Sequence, residues 1–145
     1  MDAMEGIYEY LEKIANKTQT KDFVNENHFF LDTEDRENNY DGYNYGLFAV
    51  HQYPNGKRVV YPLFICYTDC YDIDDKFEVN QYEYIQDLNL FVNKGTKEYE
   101  NGICGDDLNF DKAKQMIDVQ VAQFYLLAKN QKVNKELNNI KRDFN

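Results

Sequence analysis

The sequence predicts an α+β fold, in which a small antiparallel sheet built on a central hairpin is flanked by helices at the two ends of the chain. Three patterns indicate it. An apolar stripe at helical spacing opens the chain, two β-rich runs flank a Pro-Asn-Gly turn, and further helical stripes close it. With 145 residues and 43% hydrophobic content, the chain suits one continuous core. We therefore expect residues 1–145 to form a single domain.

The first element is predicted to be a helix. Asp2 and Glu5 have the spacing of a capping box, in which side chains satisfy the free backbone N–H groups of the first turn. Apolar residues then recur at i, i+3, i+7 and i+10, namely Met4, Ile7, Leu11 and Ile14. We expect the helix to end near Asn16. The polar residues 17–46 should then form a long loop, interrupted by a short strand or turn around 29–31.

A hairpin over residues 46–68 gives the clearest signal in the chain. Its two runs, 46–53 and 57–68, flank Pro54-Asn55-Gly56, three residue types that suit successive positions of a tight turn. The runs hold very little charge, so we expect both faces of the hairpin to be covered, as in a central sheet. Pro62 cannot donate a ladder hydrogen bond and therefore predicts a bulge or an edge position.

Residues 80–93 fit two patterns, and we take the helix as the prediction. Asn80 and Glu83 repeat the capping-box spacing, and residues 93–95, Asn-Lys-Gly, would end a helix. Apolar residues follow at helical spacing, namely Tyr82, Ile85, Leu88 and Phe91 or Val92. The competing interpretation is a strand, because residues 77–85 alternate for part of their length.

The C-terminal segment predicts one or two further helices. Asp107 or Asn109 can cap the first, whose apolar face comprises Ala113, Ile117, Val121, Phe124 and Ala128. After Asn130 a second stripe follows, formed by Val133, Leu137, Ile140 and Phe144 among basic residues. Residues 131–145 either form a separate short helix or continue the first helix after a kink. We expect this stripe to pack on its own domain, and the alternative is that it docks on another subunit.

Charge is distributed unevenly along the chain. The net charge is -10, with 11 acids and 4 bases in residues 1–46 and 12 acids and 3 bases in residues 69–111, whereas residues 112–145 carry 7 bases and 3 acids. Phosphate binding needs clustered Lys and Arg, so the acidic body is not expected to bind nucleic acid directly. A basic protein partner suits it instead, because opposite charges steer encounter.

The sequence also predicts a cytoplasmic protein without membrane association. No apolar run approaches the roughly 20 residues that span a bilayer. The N-terminus is acidic where a signal peptide would be positively charged. We therefore expect the three cysteines to be reduced thiols. The oligomeric state does not follow from these patterns.

The cysteines raise the question of a metal or catalytic site. Zinc would need four converging ligands, and the candidates are His51, Cys66, Cys70 and Cys104. Cys66 shares a predicted strand face with Phe64, so we expect it to be buried as a small apolar side chain. No cofactor is therefore predicted. A small enzyme that uses these residues with a metal, or Cys104 as a nucleophile, is the alternative.

Two acidic clusters interleaved with tyrosines are the candidate partner-binding surface. Neither matches the calcium-binding loop of an EF-hand, whereas tyrosines among carboxylates give apolar contact area with a polar rim, as at protein interfaces. The first acidic cluster comprises Asp32, Glu34, Asp35, Glu37, Tyr40, Asp41 and Tyr43. The second acidic cluster comprises Asp69, Tyr71, Asp72, Asp74 and Asp75.

These observations suggest a non-enzymatic protein that binds and inhibits a basic partner, such as a nuclease or another nucleic-acid-binding protein, with carboxylates in place of phosphates. In size and acidity the chain resembles small acidic immunity proteins and phage or mobile-element inhibitors of host defence. That resemblance includes no motif and implies no residue roles. The alternatives are the small enzyme described above and a structural or assembly protein that docks through residues 133–144.

Overall fold

The computed structural model describes residues 2–19, 29–38, 42–53, 55–68, 75–85, 90–94 and 102–144. It confirms the α+β class. In chain order the elements are α1 (Ala3–Gln19), β1 (Phe29–Asn38), β2 (Gly42–Gln52), β3 (Arg58–Thr68), β4 (Lys76–Val79), β5 (Tyr82–Ile85), β6 (Leu90–Asn93), β7 (Gly102–Cys104) and α2 (Phe110–Phe144). A short 3-10 helix, Gly105–Asp107, precedes α2.

The described strands form two antiparallel sheets. The larger sheet has the order β1-β2-β3-β4-β7, and β5 pairs with β6 in a second sheet. Buried side chains of both helices join one core with the larger sheet, and Phe91 of β6 belongs to the same core. No described helix is long and apolar enough to cross a membrane.

The predicted hairpin is confirmed as β2 and β3. The Tyr53 N–H donates to the Lys57 carbonyl at 2.8 Å, and the Gly56 N–H donates back to the Tyr53 carbonyl at 2.9 Å. Gly56 has φ of 87°, a left-handed conformation that costs glycine little. The Asn55 side chain accepts the Lys57 N–H at 2.9 Å, which further fixes the turn.

The bulge predicted from Pro62 is also present. Leu47 lies opposite Phe64 while Phe48 lies opposite Pro62, so Leu63 is an extra residue in β3. On its other side β3 pairs with β4 only from Phe64 onward, so the missing proline N–H interrupts no described β3–β4 pair.

β1 corrects the prediction of a long loop over residues 17–46. It pairs with β2 along its whole length, from Phe29 opposite His51 to Asn38 opposite Gly42. The sequence pattern for a strand was weak here because β1 is an edge strand of the larger sheet, where polar side chains are tolerated. Phe29 and Leu31 are its buried residues in the core.

The helix predicted over residues 80–93 is wrong, because this segment contains the β5–β6 hairpin. Asn80 does not cap a helix, since its N–H donates to the Leu63 carbonyl at 2.9 Å. Tyr82 pairs across the hairpin with Asn93. The spacing of Tyr82 and Phe91 suggested one face of a helix. The two rings instead lie on two different strands, and both contact Phe124, at 6.2 and 5.5 Å between centroids.

The capping predictions are confirmed at both helices. Asp2 accepts the Glu5 N–H at 2.8 Å, and Asn109 accepts the Lys112 N–H at 3.0 Å. α1 continues to Gln19, past its expected end. α2 is one uninterrupted helix of 35 residues. Residues 131–144 therefore continue the helix and do not form a separate one.

The second stripe of α2 does not pack on its own domain, contrary to expectation. Val133, Leu137 and Ile140 are exposed, and Gln131 is the last buried side chain described on the helix. Length explains it. At about 1.5 Å per residue α2 extends about 52 Å, whereas an 11-residue strand extends about 36 Å. The end of the helix therefore has no sheet beneath it.

Phe124 joins α2 to the sheets through an aromatic cluster. Its ring is 5.7 Å from Phe29 of β1, 6.5 Å from Tyr61 of β3 and 5.5 Å from Phe91 of β6. The contacts with Phe29 and Tyr82 are edge-to-face, a favourable geometry for aromatic rings. The Phe124 side chain of α2 thus contacts aromatic rings from four strands, β1, β3, β5 and β6.

Replacing Phe124 with alanine should lower the free energy of unfolding by about 3–5 kcal/mol, because it removes a buried ring and leaves a cavity between four elements. Urea unfolding followed by circular dichroism measures the change. Gln115→Ala, at an exposed position of the same helix, is the control and should change stability little. Equal stability of the two variants would contradict the central place of Phe124.

Candidate functional site

The strands that flank the two acidic connections meet at one end of the larger sheet. β1 ends at Asn38 where β2 begins, and Tyr43 of β2 lies opposite Thr68, where β3 ends. The connections 39–41 and 69–74 therefore leave the sheet at the same end. The turn at Gly56 closes the opposite end and carries Lys57 and Arg58.

We call this region the acidic end and define it by its described exposed carboxylates, Asp35, Asp75, Asp106 and Asp107. Asp75 directly precedes β4, and its carbonyl accepts the Gly105 N–H at 3.0 Å, which brings Asp106 and Asp107 alongside. Three strand spacings separate β1 from β4, about 14 Å. The acidic end is therefore as wide as several side chains of a partner.

The predicted partner-binding residues are only partly described. Asp32, Glu34 and Asp35 are exposed on β1, and Asp75 is exposed before β4. Strand alternation places Asp32 and Glu34 on one face and Asp35 on the other, so the first acidic cluster does not form a single face. The backbones of Glu37 and Tyr43 lie near the acidic end. Outside the described residues are Tyr40, Asp41, Asp69, Tyr71, Asp72 and Asp74.

Three acidic residues near this end were missed in the sequence. Asp107 was considered only as a possible helix cap, and Asp106 was not singled out. Glu12 of α1 acts on Tyr45 together with Asp35. Burial raises the pKa of Tyr45, the Thr33 hydrogen bond lowers it, and the charges of Glu12 and Asp35 raise it further. Tyr45 thus stays neutral beside the acidic end.

Aromatic rings lie beside the acidic end, together with Lys76, a base that has an acidic neighbour. Tyr8 of α1 packs on Tyr45 with centroids 4.7 Å apart, and its hydroxyl shares a hydrogen bond of 3.2 Å with Thr68. Lys76 contacts the Glu78 carboxylate at 3.7 Å and lies 5.4 Å from the Tyr67 ring centroid. Because Lys76 already has an acidic neighbour, it offsets little of the negative charge around Asp75.

A groove lies between α1 and the start of α2. Its cavity of about 580 Å³ is lined by two carboxylates, one base and two rings among other residues, namely Asp2, Glu9, Lys13, Tyr10 and Phe110. Tyr10 also lines a second cavity of about 220 Å³ farther along the helices. The Tyr10 hydroxyl donates to Asp118. Burial, with this hydrogen bond and the Asp118 charge, raises the pKa of Tyr10 to about 12.

The described cysteines and His51 do not come together as zinc ligands would have to. Cys66 lies opposite Tyr45, six residues along β2 from His51, which separates the two by about 20 Å. Cys104 lies opposite Lys76, the neighbour of the residue paired with Cys66, so the two thiols are on opposite faces of the sheet. Cys70 lies outside the described residues.

The side chains of Cys66 and His51 are buried. Cys66 is fully buried, and burial raises the pKa of its thiol. His51 is buried between Phe29 and Tyr53, with both ring centroids 4.3 Å away. Within the described part of the chain, no three His, Cys, Asp or Glu side chains come together in a way that would hold a metal ion.

The Cys66 thiol should resist labelling by iodoacetamide in the folded protein at pH 8 and react after unfolding in guanidinium chloride. Its raised pKa keeps it protonated, and its neighbours exclude the reagent. Mass spectrometry of the peptide that contains Cys66 measures the labelled fraction, with the unfolded protein as the control. Labelling at the same rate in both states would contradict the buried position.

Comparison of the chain with protein-family models, with curated proteins and with solved structures gives no match. A function for this protein must therefore be inferred from the charges and contacts of its own residues.

Proposed function

We propose that the protein is a non-enzymatic inhibitor that binds a basic protein, such as a nuclease or another nucleic-acid-binding protein, through the acidic end. The observation that carries this proposal is the position of the exposed Asp35, Asp75, Asp106 and Asp107 at the end of the sheet where the strands that flank both acidic connections begin and end. In this mode the carboxylates take the place of phosphates in the cationic groove of the partner.

Electrostatic attraction would make association with a basic partner fast and sensitive to salt. The chain has a net charge of -10, and the bases of the hairpin turn lie at the other end of the sheet. A basic partner would thus be steered toward one end of the molecule. Exposed charges are screened beyond about 8 Å at physiological ionic strength, so association should slow as salt rises.

The α1–α2 groove supplies a second kind of contact in this proposal. An arginine or lysine of the partner would meet the carboxylates of Asp2 and Glu9, which outnumber the one base of the lining, Lys13. It would also meet the rings of Tyr10 and Phe110. A cation over an aromatic face adds to an ion pair, and less so in water than in a partly enclosed site. Lys114 already lies 5.6 Å from the Tyr10 ring centroid, so this ring accepts a cation within the protein itself.

The triple variant Asp35→Asn, Asp75→Asn, Asp106→Asn should lose most of its binding to the basic partner, because it removes three charges from the acidic end at nearly constant side-chain volume. The experiment captures proteins from a lysate of the source organism on immobilised wild type and variant at 50 and 200 mM salt. Once the captured protein is identified, its association rate should fall about tenfold for the variant at low salt.

The matched control is Glu83→Lys with Gln115→Lys. It also changes the net charge by three units, two from the first substitution and one from the second, at exposed positions away from the acidic end. The control should retain the partner that the triple asparagine variant loses. Equal retention by both variants would show that net charge alone, or another surface, accounts for the binding.

A further inference from the structure

α2 presents apolar residues on two opposite sides. The core side consists of the buried Ala113, Ile117, Phe124 and Ala128. Four large apolar side chains recur every seven residues elsewhere on the helix and are 43–59% exposed, namely Val119, Leu126, Val133 and Ile140. At about 100° per residue, this second row lies roughly half a turn from the core side. The second row therefore faces away from the domain.

A neighbouring row completes a heptad pattern on this outer side. Each of its members follows one residue of the exposed apolar row by four positions and precedes the next by three, namely Gln123, Asn130 and Leu137. Met116, one heptad earlier, is partly buried against the core and is not part of this pattern. Alternating spacings of three and four are those of the a and d positions of a coiled coil, and here they continue for three heptads, over residues 119–140. We call the two rows the α2 seam.

We propose that the α2 seam pairs with the same seam of a second copy of this chain, in a parallel, in-register, two-stranded coiled coil. Single exposed apolar residues are ordinary on a protein surface, but a continuous row along one helix indicates an interaction site. Pairing two seams would remove both rows from water along about 32 Å of helix.

The polar members of the α2 seam select a second copy in parallel orientation. Gln123 and Asn130 are at a positions, and in a parallel pair each meets its own counterpart, so the amides donate to and accept from each other. In an antiparallel pair each would face a d position, and every d residue from 119 to 140 is apolar. A buried amide without a partner is costly, so the parallel arrangement is favoured.

Two further features bear on the number of strands. The β-branched Val119, Val133 and Ile140 at d positions by themselves favour more than two helices, whereas a buried Asn at an a position favours a dimer of fixed register. Only a narrow side of α2 is available, because the opposite side packs on its own domain over residues 113–131. We therefore infer two strands.

Charge complementarity also suits this pairing. With Asn130 and Leu137 at a positions, Glu136 occupies a g position and Lys141 the following e position. In a parallel pair, Glu136 of one copy lies beside Lys141 of the other, and symmetry repeats the contact. Both side chains are exposed in the single chain and thus accessible to a second copy.

The pairing leaves the acidic end open. The domains lie on the outer sides of the two helices, and Asp106 and Asp107 directly precede the start of α2. A parallel pair would therefore present two acidic ends in the same direction. A partner with two basic sites would gain from binding both at once.

The first test is sedimentation velocity of the full chain at 5–100 µM. The wild type should sediment with twice the 17.3 kDa mass of one chain. Leu126→Glu with Val133→Glu should sediment as one chain with unchanged circular dichroism at 222 nm. The matched control, Val60→Glu with Val92→Glu, introduces the same charges at apolar positions that are 45% and 44% exposed outside the α2 seam and should remain a dimer.

The second test exchanges the charges of Glu136 and Lys141. If these residues only stabilised the fold of one chain, the exchange would not restore the dimer dissociation constant. Glu136→Lys places two like-charged pairs in the dimer and should raise the dimer dissociation constant about three- to tenfold. Adding Lys141→Glu should restore the wild-type value. After oxidation, Leu137→Cys should yield a peptide linked to its own copy, because a positions face each other in a parallel pair.

Several results would overturn the proposal. They are a wild type that stays a single chain at 100 µM, a dimer that the α2 seam glutamates leave intact, a trimer or tetramer, and no rescue by the exchanged charges. None of these substitutions touches the acidic end. Failure of the dimer therefore leaves the proposed inhibitor function to be judged by its own variants.

Discussion

The antiparallel pairing of β2 with β3 is the interaction on which the rest of the molecule depends. The ladder extends from Gln52 opposite Arg58 to Tyr43 opposite Thr68, and the turn at Gly56 closes one end of it. Both remaining connections, to β1 and to β4, must therefore leave from the open end. Asp35 lies near the first of these connections, and Asp75 directly follows the second. A local turn preference thus places these two charges, which are distant in sequence, on one end of the fold.

The packing of α2 on the sheets determines which side of this helix faces solvent. Its core side is held by Phe124, whose ring meets aromatic side chains from β1, β3 and β6. Once that side is fixed, the rotation of the helix is fixed, and the residues half a turn away must face solvent. The outer side then carries its own apolar rows. The proposed contacts with other proteins, at the acidic end and along α2, both follow from the packing of one core.

Local signals in the sequence predicted local features well. The Asp2 cap, the Asn109 cap and the bulge beside Pro62 each depend on residues close in the chain, and all are present. Features set by tertiary packing were not predictable in this way. β5 and β6 form a hairpin because Tyr82 and Phe91 meet Phe124, which overrides a helical spacing. Asp35 and Asp75 were found from charge alone, but their common location needed the strand register, and neither Asp106 nor Asp107 belonged to a predicted acidic cluster.

The most direct test of the account is hydrogen–deuterium exchange of the protein with and without its captured basic partner. The account predicts slower amide exchange on binding in residues 33–38, 75–77 and 104–108, with no change at the hairpin turn around Gly56. Protection centred on the turn at 53–58, with unchanged exchange at the acidic end, would contradict it and would place the binding surface at the opposite end of the sheet.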